Sequence, residues 1–383
     1  MNQPVFNQVD FAQLAYAYGQ PDWHATFKAS PEDFTVTELN PFTLSGEGEH
    51  LWLFLEKRGE NSEWLAGEVA KWAGVARNAV GMAGQKDRHA VTRQWLSVQL
   101  PGRENPDWSS WPHPQVRLLK AQRHLRKLQT GGLSGNRFEI CLRSLKSAVG
   151  DFSEAEKSIF ESRLQQIAQQ GVPNYFGAQR FGKGGNNLPK AIAMLQAPRR
   201  VPRHKKSLYL STLRSWAFNC ALSQRVMQGN WNQALPGEVF QLAGSQRCFA
   251  DDATPELAER LRSGDIHPSG VLIGDLGRGW VSAQGPALAY EQQSLEPFQS
   301  WQQALAGMRV EADRRALRLI PQALHWQWQP SSARDESLDL HLQFELPVGT
   351  YATMLLREFC HLQEPHRAGE GERDDDKLDD GKS

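Results

Sequence analysis

The sequence predicts an α/β protein of two domains, on three observations. Its 383 residues can bury a sizeable core and exceed the usual span of one domain. Runs with apolar residues at alternate positions recur near both ends of the chain, and stretches with helical spacing separate them. Dense basic clusters lie among these elements, which favours a polyanionic partner.

The formal net charge is zero, 43 basic against 43 acidic side chains, which alone argues against nucleic acid. The balance is uneven along the chain. Glu364–Ser383 holds eight acidic and four basic residues, leaving 39 basic and 35 acidic in the body. An acidic stretch without aromatics reads as a disordered, solvating tail. The four cysteines (Cys141, Cys220, Cys248, Cys360) include no Cys-x-x-Cys pair, so neither a zinc site nor a disulfide framework is expected. No basic segment followed by an apolar run opens the chain, and no apolar run approaches the roughly 20 residues that span a bilayer. A soluble, cytoplasmic protein is the expectation.

In chain order, Glu32–Glu38 alternates as a strand with Phe34 and Val36 on one face. His50–Leu55 is a second strand, followed by a turn at Arg58-Gly59-Glu60. Asn61-Ser62 then caps a helix with Trp64, Leu65, Glu68, Val69 and Trp72 at helical spacing, and Gly74 stops it. Next comes Gly81–Gln94, which carries Asp87 between Lys86 and Arg88 on a loop opened by Gly81 and Gly84. A nearby positive charge favours a carboxylate's anionic form, and an ionised carboxylate at the mouth of a sheet suits a nucleophile or general base. On the residues alone, a solvated turn explains the loop as well. Trp95–Leu100 continues as a strand.

A connector, Pro101–Pro114, leads to Val116–Lys127, whose Arg117, Lys120, Arg123, His124, Arg126 and Lys127 make a phosphate-contacting stripe or a solvated face. Gly131–Leu142 is a turn running into a strand through Phe138, Ile140 and Leu142; without other information Asn136 is a turn residue and Phe138 core. Phe152–Gln170 reads as an amphipathic helix with Ile159, Leu164 and Ile167 among its apolar positions. Arg180 and Lys183, among glycines, suit either a phosphate or a structural loop. Pro198–Lys206 is the strongest basic cluster, and Arg199, Arg200, Arg203, Lys205 and Lys206 are its candidates for backbone phosphates. A helix over Leu208–Gln228 turns Leu213, Ala217, Ala221 and Leu222 inward. Glu256–Arg262 and Gln299–Ala306 are shorter helices, Arg314–Pro321 regains strand character, and Leu338–Leu346 alternates as the last strand.

Several of these segments resemble one family. Gly84, Lys86, Asp87, Arg88, Ala90, Thr92 and Gln94 match Gly-x-Lys-Asp-Arg-x-Ala-x-Thr-x-Gln, a signature of the TruD family of tRNA pseudouridine synthases. The strand around Phe34, the segment Leu133–Phe138, the segment Asn174–Gly182 and the run Leu346–Glu358 resemble four further motifs in family order. The resemblance implies an α+β (mixed α/β) fold: a pseudouridine-synthase catalytic domain with a mixed, largely antiparallel sheet, interrupted by an inserted α/β TRUD domain. It divides the chain into catalytic parts at 1–160 and 320–363, the insertion at 161–319 and the tail at 364–383.

The implied activity is isomerisation of uridine to pseudouridine in tRNA, at uridine 13 of the D arm, with Asp87 as nucleophile or base. Phe34, Asn136, Phe138 and Tyr351 are the implied substrate contacts. Lys86 and Arg88 would support the carboxylate's charge or touch phosphate, as would Arg180 and the basic cluster. No cofactor or metal is implied, and tRNA is the partner. Two rivals remain: a non-catalytic RNA-binding or RNA-folding protein, which the intact Asp87 opposes, and a nucleoside hydrolase. Glycoside hydrolases pair two carboxylates, and the signature holds no second one.

Overall fold

The structure, a computed structural model, describes residues 6–148, 152–196, 201–252, 254–331 and 337–365. Arg199 and Arg200, and the tail beyond residue 365, lie outside the described residues.

A ten-stranded mixed sheet forms the larger part. Its strands are β1 (Trp23–Phe27), β2 (Phe34–Leu39), β3 (His50–Arg58), β4 (Val80–Met82), β5 (Val91–Gln99), β6 (Val116–His124), β7 (Gly135–Ser147) and, from the far end of the chain, β14 (Gln322–Pro330), β15 (Leu338–Pro347) and β16 (His361–Gln363). Its main path runs β14-β15-β7-β2-β5-β3-β6, and the neighbours along it are antiparallel except for β2 with β5. Helix α1 (Ser62–Ala73) covers the β3–β5 side, and α2 (Glu154–Gln170) covers the β1–β7 side with α8 (Ala352–Leu356).

Between α2 and β14 the chain builds a second unit. Strand β8 (Val172–Pro173) pairs with β13 (Arg318–Leu319) at its entry and exit. The strands β9 (Val239–Leu242), β10 (Cys248–Ala250), β11 (Ile266–Leu272) and β12 (Asp313–Ala316) form a four-stranded sheet. The helices are α3 (Asn187–Gln196), α4 (Arg203–Met227), α5 (Pro255–Ser263), α6 (Gly285–Leu295) and α7 (Gln299–Gly307). The fold is therefore α+β, as expected.

Local chemistry sets the boundaries. Asn61 caps α1 by accepting from the Trp64 N–H at 2.6 Å, and Gly74 closes it in the left-handed conformation (φ 60°). Ser153 and Glu156 form a reciprocal capping box at α2, so that helix begins at Glu154 and not Phe152. Its buried face is Phe160, Leu164 and Ile167, spaced four and three apart; Ile159, expected inward, is 59% exposed because it lies one helical position off that stripe. Helix α4 starts at Arg203, five residues before the expected Leu208, with Pro202 as its capping residue. Arg203, Lys205 and Lys206 thus occupy its first turn. Ala221 is only half-buried, whereas Leu213, Ala217 and Leu222 are fully buried.

The N-terminal segment packs on the second unit's core through Phe6, Val9, Phe11 and Leu14. Its clasp is the pair Arg357–Glu358, one residue beyond α8. The Arg357 guanidinium donates to the carbonyls of Leu14 at 2.8 Å and Ala15 at 3.2 Å and lies 3.7 Å from the Tyr16 ring centroid. Glu358 Oε2 accepts from the Ala17 N–H at 2.8 Å. Burial pushes the Glu358 carboxyl from 4.5 up to about 7, against the opposing pull of Arg357. With its pKa raised on folding, the native state binds more protons than the unfolded chain between those two values. This contribution is therefore full below pH 4.5 and is lost as pH rises through about 7, at about 3 kcal/mol in all. Urea titrations at pH 5 and pH 7.5 should show Glu358→Gln lacking that part of the wild-type decline; parallel declines would refute the assignment.

Candidate functional site

Asp87 lies between β4 and β5 with its side chain 22% exposed. Its charged partner is not a sequence neighbour. Oδ2 is held by the ammonium of Lys28, 59 residues away, while Oδ1 accepts from the His89 N–H at 3.1 Å. Lys28 sits just after β1 with φ 56°, a left-handed conformation that side-chain-bearing residues adopt at a cost. Its Nζ lies 4.5 Å from the Phe34 ring centroid and 5.1 Å from that of Phe27. Those rings shield the cation from water and place it over negative π faces.

A second lysine holds the loop's backbone. Lys57 is wholly buried, donating to the carbonyls of Asp87 at 3.0 Å and Glu60 at 2.5 Å, and burial lowers its pKa to about 8. Lys86, expected beside the Asp87 charge, instead pairs with the buried Glu38 carboxylate at 2.5 Å. Burial raises the Glu38 pKa, against the pull of Lys86. Arg88 is exposed and donates to the Gly59 carbonyl at 3.2 Å. Adjacent side chains of non-helical backbone project to different sides, so the Lys-Asp-Arg order does not bring the three charges together. Gln94 completes the anchor: the Ser62 hydroxyl donates to its Oε1 at 2.9 Å and accepts from the Lys86 N–H at 2.9 Å.

Cross-strand register places the other residues. Val36 on β2 faces Phe138 on β7, and Glu38 faces Asn136. On β5, Thr92 lies opposite Val36 and Lys57. Lys57, Thr92, Val36, Phe138 and Phe344 therefore form a row across the sheet. Phe34 and Phe138 are core residues at 6.1 Å from each other, and Phe138 stacks on Phe344 at 5.3 Å. On the strands beside the site, the buried polar atoms without a partner among the described residues include Thr37 Oγ1 on β2, Thr92 Oγ1 and Gln94 Nε2 on β5, and Asn136 Oδ1 on β7.

Tyr351 stands at the start of α8 and is half-buried. Its hydroxyl accepts from Arg180 Nε at 3.2 Å, joining two independently expected residues. Gly177 permits the approach, since a Cβ there would come within 2.8 Å of the Tyr351 ring. The Arg315 guanidinium, 4.0 Å from the Phe176 ring centroid, adds a cation to this corner.

The expected basic stripe is mostly occupied. Arg117 pairs with Glu56 at 2.9 Å. Arg123 donates to Asn105 Oδ1 at 2.7 Å and to the carbonyls of Leu100 at 3.2 Å and Arg103 at 2.6 Å. Lys120 and Arg126 have no ion-pair partner among the described residues. No helix among the described residues is long and apolar enough to cross a membrane. Nor do these residues gather three or more His, Cys, Asp or Glu side chains fit to hold a metal.

Sequence reasoning missed Lys28 and Lys57. Lys28 carries no local signal. Lys57 carries one, because it follows Leu51, Leu53 and Leu55 at the inward phase of β3, where a lysine must find buried partners.

Comparisons place this chain among known proteins. A family model described as tRNA pseudouridine synthase D (TruD) matches residues 11–188 and 186–359. A tRNA pseudouridine synthase D of Hydrogenovibrio crunogenus is 48% identical over 358 residues, covering 93% of this chain and 99% of that relative. One from Aeromonas hydrophila subsp. hydrophila is 44% identical, covering 92% of this chain and 95% of its own. A crystal structure of a Methanosarcina mazei protein assigned to TruD superposes with a TM-score of 0.69 at 20% identity, covering 94% of this chain and 98% of that one, and so shares the fold. The chain belongs to the tRNA pseudouridine synthase D (TruD) family, isomerases that convert uridine to pseudouridine.

Proposed function

We propose that this protein isomerises uridine to pseudouridine in tRNA, at uridine 13 of the D arm, with Asp87 as its catalytic residue. The observation that carries the reading is the Asp87 carboxylate itself: partly open to solvent, held by Lys28 and the His89 N–H, with its backbone fixed by Lys57. Such a group is preorganised to act without first rearranging. The C1′–N1 bond of the target breaks as Asp87 adds at C1′ or takes a ribose proton. The uracil turns and rejoins through C5, which loses its proton as N1 gains one.

To reach Asp87 the base must leave its stack. Phe34 and Phe138 floor the site, Asn136 offers its unpartnered Oδ1, and Tyr351 supplies the more exposed aromatic surface. Arg180, Arg203, Lys205 and Lys206 contact backbone phosphates, and Arg199 and Arg200 belong to the same basic cluster. The catalytic parts run to the end of α2 and again from about 320 to 363, the first boundary lying beyond 160 because Phe160, Leu164 and Ile167 all pack on the large sheet's core. The insertion lies between them, and the enzyme works in the cytoplasm.

The test is incubation of the purified protein with an unmodified tRNA transcript, followed by chemical mapping of pseudouridine. Product at position 13 supports the reading. Product elsewhere overturns the position, and tight binding without product returns the non-catalytic RNA-binding alternative.

A further inference from the structure

A cavity of about 430 Å³ opens between the Phe42 segment, β3 and the chain that follows β6. It is lined by Phe42, Trp52, His124, Arg126, Lys127 and Gln129, among others. Small-ligand pockets run from about 300 to 1,000 Å³, so its size suits one nucleotide and not a duplex. Phe42 stacks on His124 at 5.4 Å with 20° between the planes and remains 41% exposed, so part of its ring is open to a ligand. His124 Nδ1 accepts from the Ser45 N–H at 3.2 Å, which holds the ring in place beneath Phe42. Arg126 at the rim has an unengaged guanidinium among the described residues, and Gln129 is exposed. Aromatic face, amide and free guanidinium are the groups that hold an unstacked base and its phosphate.

Hydrogen bonds tie the cavity wall to the elements flanking the catalytic loop and, at Ala83, to the loop itself. Lys127 Nζ donates to the Asn78 carbonyl at 2.5 Å, Leu128 N–H to Ser97 Oγ at 2.9 Å and Gly131 N–H to the Ala83 carbonyl at 3.0 Å. A Cβ on Gly81 would meet the Leu128 carbonyl at 2.5 Å. Ala83 precedes Asp87 by four residues, a reach of at most about 14 Å of extended chain, which a few nucleotides of single strand can cover.

We propose that this cavity binds a second, unpaired nucleotide of the RNA substrate, stacking its base on Phe42 and holding its phosphate through Arg126. The proposal rests on the RNA-modifying reading above. It is a binding subsite and takes no part in bond breaking.

The experiment measures, for wild type, Phe42→Ala, Phe42→Trp and Arg126→Ala, the affinity for an unmodified tRNA transcript and the single-turnover rate at saturating RNA. Both positions are exposed, so the variants keep the fold, and an unchanged Tm checks this. Phe42→Ala should bind about tenfold more weakly, Phe42→Trp should regain most of the affinity, and the saturated rate should stay within about twofold of wild type. Arg126→Ala should weaken binding and lessen its salt dependence. A transcript carrying one abasic loop position should lose affinity for wild type but not for Phe42→Ala. Wild-type RNA affinity in both Ala variants overturns the subsite, as does a lost rate with affinity intact. Should wild type form no pseudouridine, the function reading fails by itself, while the affinity comparison still decides the subsite.

Discussion

Asp87→Asn should bind tRNA as wild type does and form pseudouridine at least about 10⁴-fold more slowly, the scale of loss when a reacting group is removed. The substitution keeps the side chain's shape and its ability to accept from the His89 N–H, but removes the charge that Lys28 matches. Because the Asp87 backbone is held separately by Lys57, the loop should keep its course. Single-turnover assays at saturating tRNA, with affinity measured alongside, separate chemistry from binding. A rate within tenfold of wild type would show that another group performs the step.

The second large effect belongs to Lys28. Lys28→Met leaves the Asp87 carboxylate without its cation but keeps the stem that packs beside Phe27 and Phe34. Removing one preorganised charge partner from a shielded site costs about 10²–10³-fold in turnover. The expected outcome is a loss of that size in the single-turnover rate, tRNA affinity changed by less than about threefold, and partial recovery in Lys28→Arg. Arginine keeps the charge but not the compact ammonium geometry, so recovery stays incomplete. If Lys28→Met instead loses tRNA affinity and keeps its saturated rate, Lys28 is an RNA contact and not the carboxylate's partner.

Much of the fold was legible because it is local. Asn61 and Gly74 bound α1 through side-chain and left-handed caps that any such segment forms on its own. Alternation located β2, β7 and β15, since period-two burial follows directly from strand geometry. It fell short at strand ends: β3 continues to Arg58 and β5 begins at Val91, because polar residues there bury against the site and break the expected pattern. The expected strand at Arg314–Pro321 divides into β12, on the smaller sheet, and β13, which pairs with β8. Helix faces were harder to read. One position separates exposed Ile159 from buried Phe160, and only the partner strands determine which lies inward.

By itself, then, the sequence determined the loop that displays Asp87, several elements in their order and, through its resemblance, the family and the α+β class; it did not show β1, β6, α3 or α6. The tertiary structure alone decided which cation meets that carboxylate, which lysine its backbone rests on, and how much of the basic stripe is already spent on Glu56, Asn105 and backbone carbonyls. Caps and alternation depend on neighbours within a few residues, which the sequence displays. Ion pairing depends on distance and desolvation in the folded chain, and adjacency in sequence fixes neither.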